Sequence, residues 1–356
     1  MAAPRFRSLD AWRGGCALVV ALFHFQATGF LHGNLLVERA SRLVDFFFVL
    51  SGFVIAYAYA ESLRAGGLVE FLRRRAARLW PLHLFVLAAC IVMALAGRVV
   101  GLSVSGWTWD SLPANLTLTH AWHLTGRLTW NGPSWSISAE IAAYLLFALL
   151  AWRLAGRALA AACAAAMLLA LGLILLAAPE GMGSTWDWGV ARCLYGFMAG
   201  ALAWMARDRL GWRPRGEIAA CAAALLAVAF LPAGIDAAIV PVFAWTVLVF
   251  ADDAGPLSRL LHRPLPQLLG RLSYSIYMVH YVVGIALMAL LTLLTPLVRE
   301  VDGTSTLVAP WWLTQPVTVL YLAAVILVSA VTWRFVEQPG RLLLGGARGK
   351  ALPAAW

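Results

Sequence analysis

Hydrophobic residues fall in ten windows along this chain, near residues 11–30, 43–60, 80–97, 134–151, 158–178, 188–206, 217–231, 238–251, 272–294 and 313–333. A membrane-crossing helix needs roughly 20 apolar residues, so the pattern predicts an all-α polytopic membrane protein of about ten transmembrane helices. Three connections are long, at 61–79, 98–133 and 295–312. The second carries Trp107, Trp109, Trp122 and Trp130 with His120 and His123, and is expected to lie back on the membrane surface. Neither an internal repeat nor an appended soluble domain is visible. The expectation is one membrane domain over 1–340 with a short basic tail over 341–356.

Composition agrees. The chain is 62% hydrophobic and 12% charged, against roughly 45–50% and 25% in soluble domains. That excludes a cytosolic globular enzyme and any disordered or fibrous class. A net charge of +10 would suggest nucleic acid in a soluble protein. Here it reads as membrane orientation, with no nucleic-acid partner. With the N-terminus inside, six of the 27 basic residues (Arg39, Arg42, Arg98, Arg127, Arg192 and Arg299) fall outside. The remaining 21, including Arg5, Arg213, Arg348 and Lys350, fall inside. Both termini are therefore expected in the cytoplasm. A cleavable leader ending near Ala27-Thr28-Gly29 is the competing view, but Asp10, Arg13 and His24 are poor company for a plain apolar core. Cys16, Cys90, Cys163, Cys193 and Cys221 all sit inside windows in no pairing pattern, so neither disulfide nor zinc site is expected. The Ala- and Arg-rich, Lys-poor composition suggests a GC-rich bacterial genome, hence a multi-pass protein of the inner (plasma) membrane.

Charged groups within spans cost roughly 2.5–3.5 kcal/mol each on insertion scales and by default mark function. Arg13 and His24, eleven residues apart, lie close to three whole turns and about 16 Å apart on one helix face. Asp10 can pair with Arg13 three residues on. Asp45 opens Phe46-Phe47-Phe48-Val49-Leu50-Ser51-Gly52-Phe53, where it reads equally as a boundary residue and Ser51-Gly52 as a close helix contact. Arg75 and Arg78 present two planar forks suited to phosphate, or else an orientation signal at lipid heads. After Pro133 and Trp135, Ser136, Glu140 and Tyr144 form a polar stripe. A bridge from Glu140 to Arg192 is the bland alternative. Ser273, Tyr277 and His280 make a second stripe, for which packing is the simpler reading. His120 and His123 lack a third ligand nearby, so no metal is expected.

Together these residues resemble the membrane-bound acyltransferase 3 family, whose members O-acylate bacterial surface polysaccharides, lipopolysaccharide, lipo-oligosaccharide signals and some macrolides. The likeness rests on Leu9-Asp10-Ala11-Trp12-Arg13 and the arginine–ten residues–histidine spacing to His24. It continues through Asp45 before FFFVLSGF, Arg75-Ala76-Ala77-Arg78 before Leu79-Trp80-Pro81, SWSISAE ending at Glu140, LGRLSYSIYMVH (269–280) and WRFVEQPGR (333–341). One departure is Ile141-Ala142-Ala143 after Glu140, where many relatives carry a further acidic residue or glutamine. Without a fused esterase-like domain, either a separate periplasmic acyl-transfer partner or direct transfer is expected.

The resemblance implies acyl-CoA as donor, acetyl-CoA favoured, and a hydroxyl of an extracytoplasmic or lipid-linked glycan or glycoside as acceptor. It implies no permanently bound cofactor. Arg13, Arg75 and Arg78 would hold the donor's phosphates, and His24 would act as general base. Glu140 or Asp45 would steady its imidazole. Trp135, Ser136 and Tyr277 would contact substrate. The rival reading is a multispan transporter or flippase for a polar glycolipid or small anion.

Overall fold

The computed structural model describes residues 6–345 except 103, 105, 212–214 and 302. Arg5, Arg213, Arg348, Lys350 and most of the 341–356 tail lie outside the described residues. Ten main helices occupy the ten windows. They are α1 (Arg7–His24), α2 (Leu43–Arg64), α3 (Leu68–Val100), α4 (Trp135–Arg153), α5 (Gly156–Ala177), α6 (Gly189–Leu210), α7 (Glu217–Phe230), α8 (Ile239–Phe250), α9 (Pro264–Leu294) and α10 (Trp311–Thr332). A π-turn over Trp333–Glu337 leads from α10 into α11 (Gln338–Gly345). Among the described residues seven segments, those of α2 to α6, α9 and α10, are long and apolar enough to cross a membrane. The other windows hold α1, with Arg7, Asp10 and Arg13 along it, and the shorter apolar helices α7 and α8.

Three details differ from the sequence pattern. Helix α1 stops at His24 rather than near 30, because Phe25 is already extended. Helix α3 starts twelve residues before its apolar window, so Arg73, Arg74, Arg75 and Arg78 ride on helix and not on a loop. The 295–312 connection is not a plain loop. Its β-branched residues pair as the antiparallel hairpin β1 (Val298–Val301) and β2 (Thr304–Leu307). This hairpin is tied to the chain leaving α1, where Leu307 N–H donates to the Gln26 carbonyl at 3.0 Å.

Two helix pairs form the centre. Helix α1 runs parallel to α9, and α2 runs parallel to α6, each pair meeting backbone to backbone at glycine. At the first crossing, a Cβ on Gly14 would lie 2.4 Å from the Leu269 carbonyl carbon, and one on Gly270 2.5 Å from the Asp10 carbonyl oxygen. At the second, a Cβ on Gly52 would lie 1.8 Å from the Phe197 oxygen, and one on Gly200 1.8 Å from the Val49 oxygen. Helix association in lipid depends on this closeness, because burying apolar surface gains little there. Helix α5 stands at the periphery, with Leu168, Leu169, Leu175 and Leu176 turned outward.

The 98–133 connection is a cap packed against α3, α4 and α9. Trp130 is fully buried, stacked on Trp107 with centroids 5.8 Å apart, and donates to the Thr108 carbonyl. Asn131 donates to the Met278 carbonyl on α9, Trp122 donates to the Ser138 carbonyl on α4, and His83 of α3 bonds the Asn115 carbonyl. The cap thus fixes the mutual positions of α3, α4 and α9.

Candidate functional site

Three arginines converge at one end of the bundle. Arg13 of α1 donates to Ser273 Oγ on α9 at 2.7 Å and pairs with Asp10 at 3.7 Å. Arg78 of α3 reaches Glu337 Oε1 at 3.2 Å and lies over the Tyr274 ring. Arg75, one turn before Arg78, is 6% exposed and packed between the rings of Tyr59 and Tyr144, 5.1 and 5.9 Å from their centroids. Its charge meets no carboxylate among the described residues. It donates to the Tyr59 hydroxyl at 2.9 Å, and its Nε–H has no partner. A buried guanidinium left this way is a costly arrangement unless an anion completes it.

These arginines line a cavity of about 110 Å³ between α1, α2, α3, α4 and α9. Its wall also carries Ser51, Ser136, Glu140, Tyr144, Ser273 and Tyr277. Glu140 accepts from the Tyr144 hydroxyl at 2.7 Å, and Ser51 lies 3.3 Å from that hydroxyl. Ser136 and Tyr277 bond each other at 2.8 Å across the gap between α4 and α9. The i, i+4 spacing of Glu140 and Tyr144 aims both side chains at one face, so the polar stripe becomes one wall of the cavity.

At the opposite end Tyr277 meets His280, with ring centroids 5.7 Å apart, and His280 meets His24. The tautomers follow from the partners, because a carbonyl can only accept. His24 Nδ1 lies 2.9 Å from the Val20 carbonyl and His280 Nδ1 lies 3.2 Å from the Ile276 carbonyl, so each neutral ring carries its proton on Nδ1. His280 Nε2, 3.3 Å from His24 Nδ1, then accepts from it, and His24 Nε2 keeps its lone pair. The Tyr321 hydroxyl donates to the carbonyls of Ala21 and His280, both at 3.1 Å, and locks the two helices in this register.

The structure therefore gathers Arg13, Arg75, Arg78, Ser136, Glu140 and Tyr277 around one cavity and sets His24 just past its end. Two residues from the sequence pattern stand apart. Asp45 receives both the Nε and Nη2 of Arg192 at 2.8 Å, each side chain 2% exposed or less. Arg192 also donates to the carbonyls of Ser184 and Ser41. The bridge weighed for Glu140 thus belongs to Asp45, and the partner beside His24 is a histidine and a backbone carbonyl rather than a carboxylate. Trp135 lies under that guanidinium, 5.3 Å from it, and backs onto Gly189 instead of lining the cavity. His280 was legible only as the end of the Ser273–Tyr277 stripe. Glu337 and Arg341 belong to WRFVEQPGR, a motif with no chemical reading of its own. Among the described residues no three His, Cys, Asp or Glu side chains are grouped to hold a metal ion, and the five cysteines are free.

Comparison with known proteins adds the chemistry class. A family model described as an acyltransferase domain, that of acyltransferase 3, matches residues 6–334. Acyltransferase MdmB of Streptomyces mycarofaciens is 35% identical over 159 residues, 41% of this chain and 39% of that protein. Protein 2 in the picA locus of Rhizobium radiobacter is 34% identical over 166 residues, 40% of this chain and 81% of that protein. The match therefore spans about two fifths of the Streptomyces protein's length. No solved structure matches the chain significantly.

Proposed function

The chain belongs to the acyltransferase 3 family, and from that premise we propose that it moves an acyl group, acetyl favoured, from cytoplasmic acyl-CoA to a hydroxyl of an extracytoplasmic or lipid-linked glycan. The protein is a multi-pass membrane acyltransferase. The observation that carries the reading is the arginine-lined cavity that leads from a buried, carboxylate-free Arg75 to the Tyr277–His280–His24 contact. Arginine forks suit the donor's phosphates, and the length of α1 from Arg13 to His24, about 16 Å, suits an extended pantetheine arm.

In this reading the acceptor hydroxyl approaches His24 from the far side. His24 Nε2 takes its proton as the oxygen attacks the thioester carbonyl, the carbon–sulfur bond breaks, and the departing thiolate recovers the proton. The hydroxyls of Ser136 and Tyr277 bond each other and the Pro133 carbonyl, and the proton held on that carbonyl is the one that would turn to a developing oxyanion. Glu140 is held by Tyr144 and acts on the cavity rather than on His24. Asp45 and Trp135 act at a distance, by fixing α2, α4 and α6.

The domain runs over 1–340 with a basic tail beyond, both termini lie in the cytoplasm, and the membrane is the bacterial inner membrane. The basic residues, 21 of 27 on the side taken as cytoplasmic, support that orientation. A separate periplasmic partner is a further candidate for the acceptor side.

The test is CoA release by purified protein in proteoliposomes given acetyl-CoA labelled in its acetyl group and a mixed glycan pool. Release that disappears in His24→Ala, with Arg75→Ala raising the donor KM, is the expected result. No release with acetyl-, succinyl- or longer-chain CoA from folded protein would favour a transporter instead.

A further inference from the structure

The WRFVEQPGR motif is not used by the reading above, yet the structure folds it against the arginine end of the cavity. Between α10 and α11 the backbone makes a π-turn over Trp333–Glu337, a rare local geometry that often accompanies functional sites. The extra residue in that turn carries Glu337 inward until it is 1% exposed. Its Oε2 accepts from Ser275 at 2.8 Å, and its Oε1 is shared by Arg78 at 3.2 Å and Arg341 at 3.6 Å. Helix α11 is pressed onto α3 at Gly340, where a Cβ would lie 2.4 Å from that of Pro81. Arg341, the next residue, is thus set beside the site, where it feels the charges of Arg78, Arg75 and Arg13.

Four guanidinium groups, from α1, α3 and α11, therefore stand with three carboxylates, Asp10, Glu140 and Glu337, and Arg75 pairs with none of them. One carboxylate oxygen cannot satisfy two forks, and at 3.6 Å Arg341 is the looser of its partners. Arg341 keeps about a quarter of its side chain open, at 23%, whereas Glu337 is closed to solvent. Arg341 is thus the most open of the four guanidinium groups.

We propose that Arg341 is the fourth arginine of the donor site, binding a phosphate of the incoming acyl-CoA at the cavity mouth, with Glu337 as the shared counter-charge that keeps the Arg78 and Arg341 forks side by side. This rests on the acyl-CoA reading above and deepens it. It moves the boundary of the working domain past residue 340, and it makes the last helix part of the substrate site rather than a tail. Binding is to a phosphate group, with no covalent step.

The experiment is calorimetric titration of coenzyme A into the full chain in nanodiscs, for wild type, Arg75→Gln and Arg341→Gln. Arg341→Gln is expected to bind at least tenfold more weakly and with a shallower salt dependence, having lost one charged contact. A second measurement needs no variant. Phenylglyoxal labelling of wild type, read by mass spectrometry, should modify Arg341 in the free protein and spare it when coenzyme A is saturating. Coenzyme A binding that depends on Arg75 but is unchanged in Arg341→Gln, or Arg341 labelled equally with and without coenzyme A, overturns the role of Arg341 and leaves the donor reading standing. No binding of coenzyme A by folded wild type overturns both.

Discussion

Replacing Asp45 with asparagine separates a structural from a chemical role for a carboxylate that the sequence places next to the active region. In the wild type two parallel 2.8 Å bonds join it to Arg192, with both side chains shut off from solvent. Asparagine keeps the volume and one acceptor but leaves the guanidinium charge buried without a counter-charge. The carbonyls of Ser184 and Ser41 remain as its partners, and neutral oxygens do not cancel a charge. Breaking one side of such a pair costs about 3–5 kcal/mol. The expected outcome is a thermal midpoint in detergent lower by roughly 5–10 °C, with coenzyme A still bound at low temperature by the fraction that remains folded. Exchanging both partners for apolar residues, Asp45→Leu with Arg192→Met, should recover part of that loss, because no charge is then stranded. An Asp45→Asn protein that melts with wild type but has lost CoA release would refute the argument and return Asp45 to the chemistry.

Other substitutions probe other parts. Gly200→Ala should cost at least the 1–3 kcal/mol typical of overpacking, because its Cβ meets the Val49 carbonyl at 1.8 Å. Gly15→Ala, with nothing within 4 Å, should leave the melting point unchanged; equal midpoints for the two would contradict the glycine crossing. His280→Ala should lower kcat by about ten- to a hundredfold with the donor KM unchanged, since it acts by holding His24. His280→Gln, which offers an oxygen to His24 Nδ1–H, should restore part of the rate; a change confined to KM would argue against this role. In the cap, burial and the stacked His83 hold His120 down to about 3 from the usual 6.5. The unfolded chain binds that proton first, so the stability His120 contributes is complete above pH 6.5 and is lost as pH falls toward 3, about 2 kcal/mol by pH 5. Melting curves from pH 7 to 5 for wild type and His120→Asn should diverge accordingly, and parallel curves would refute it.

The ten windows, the order of elements and most of the polar residues around the cavity were readable in the sequence, and for one physical reason. Apolar runs in lipid can form little but helices, and a charge inside such a run is too expensive to be incidental. Arg13 and Glu140 announced themselves by that cost, Arg75 and Arg78 by a spacing of three that sets two forks side by side, and Ser136 and Tyr277 by helical spacing to other polar positions. Ser51-Gly52 likewise signalled a close crossing, which Gly52 makes with Phe197.

Which charge meets which was decided only by tertiary structure. Asp45 and Arg192 are 147 residues apart and His24 and His280 are 256 apart, and no helical period links positions on different helices. Local pattern fixes the face on which a side chain lies. The partner depends on which helices pack and at what height, and here that is set by glycine contacts on α1, α2, α6 and α9. The same reason hid Glu337 and Arg341. Their approach to Arg78 requires a π-turn and the seat of Gly340 on Pro81, both consequences of packing that hydropathy does not encode.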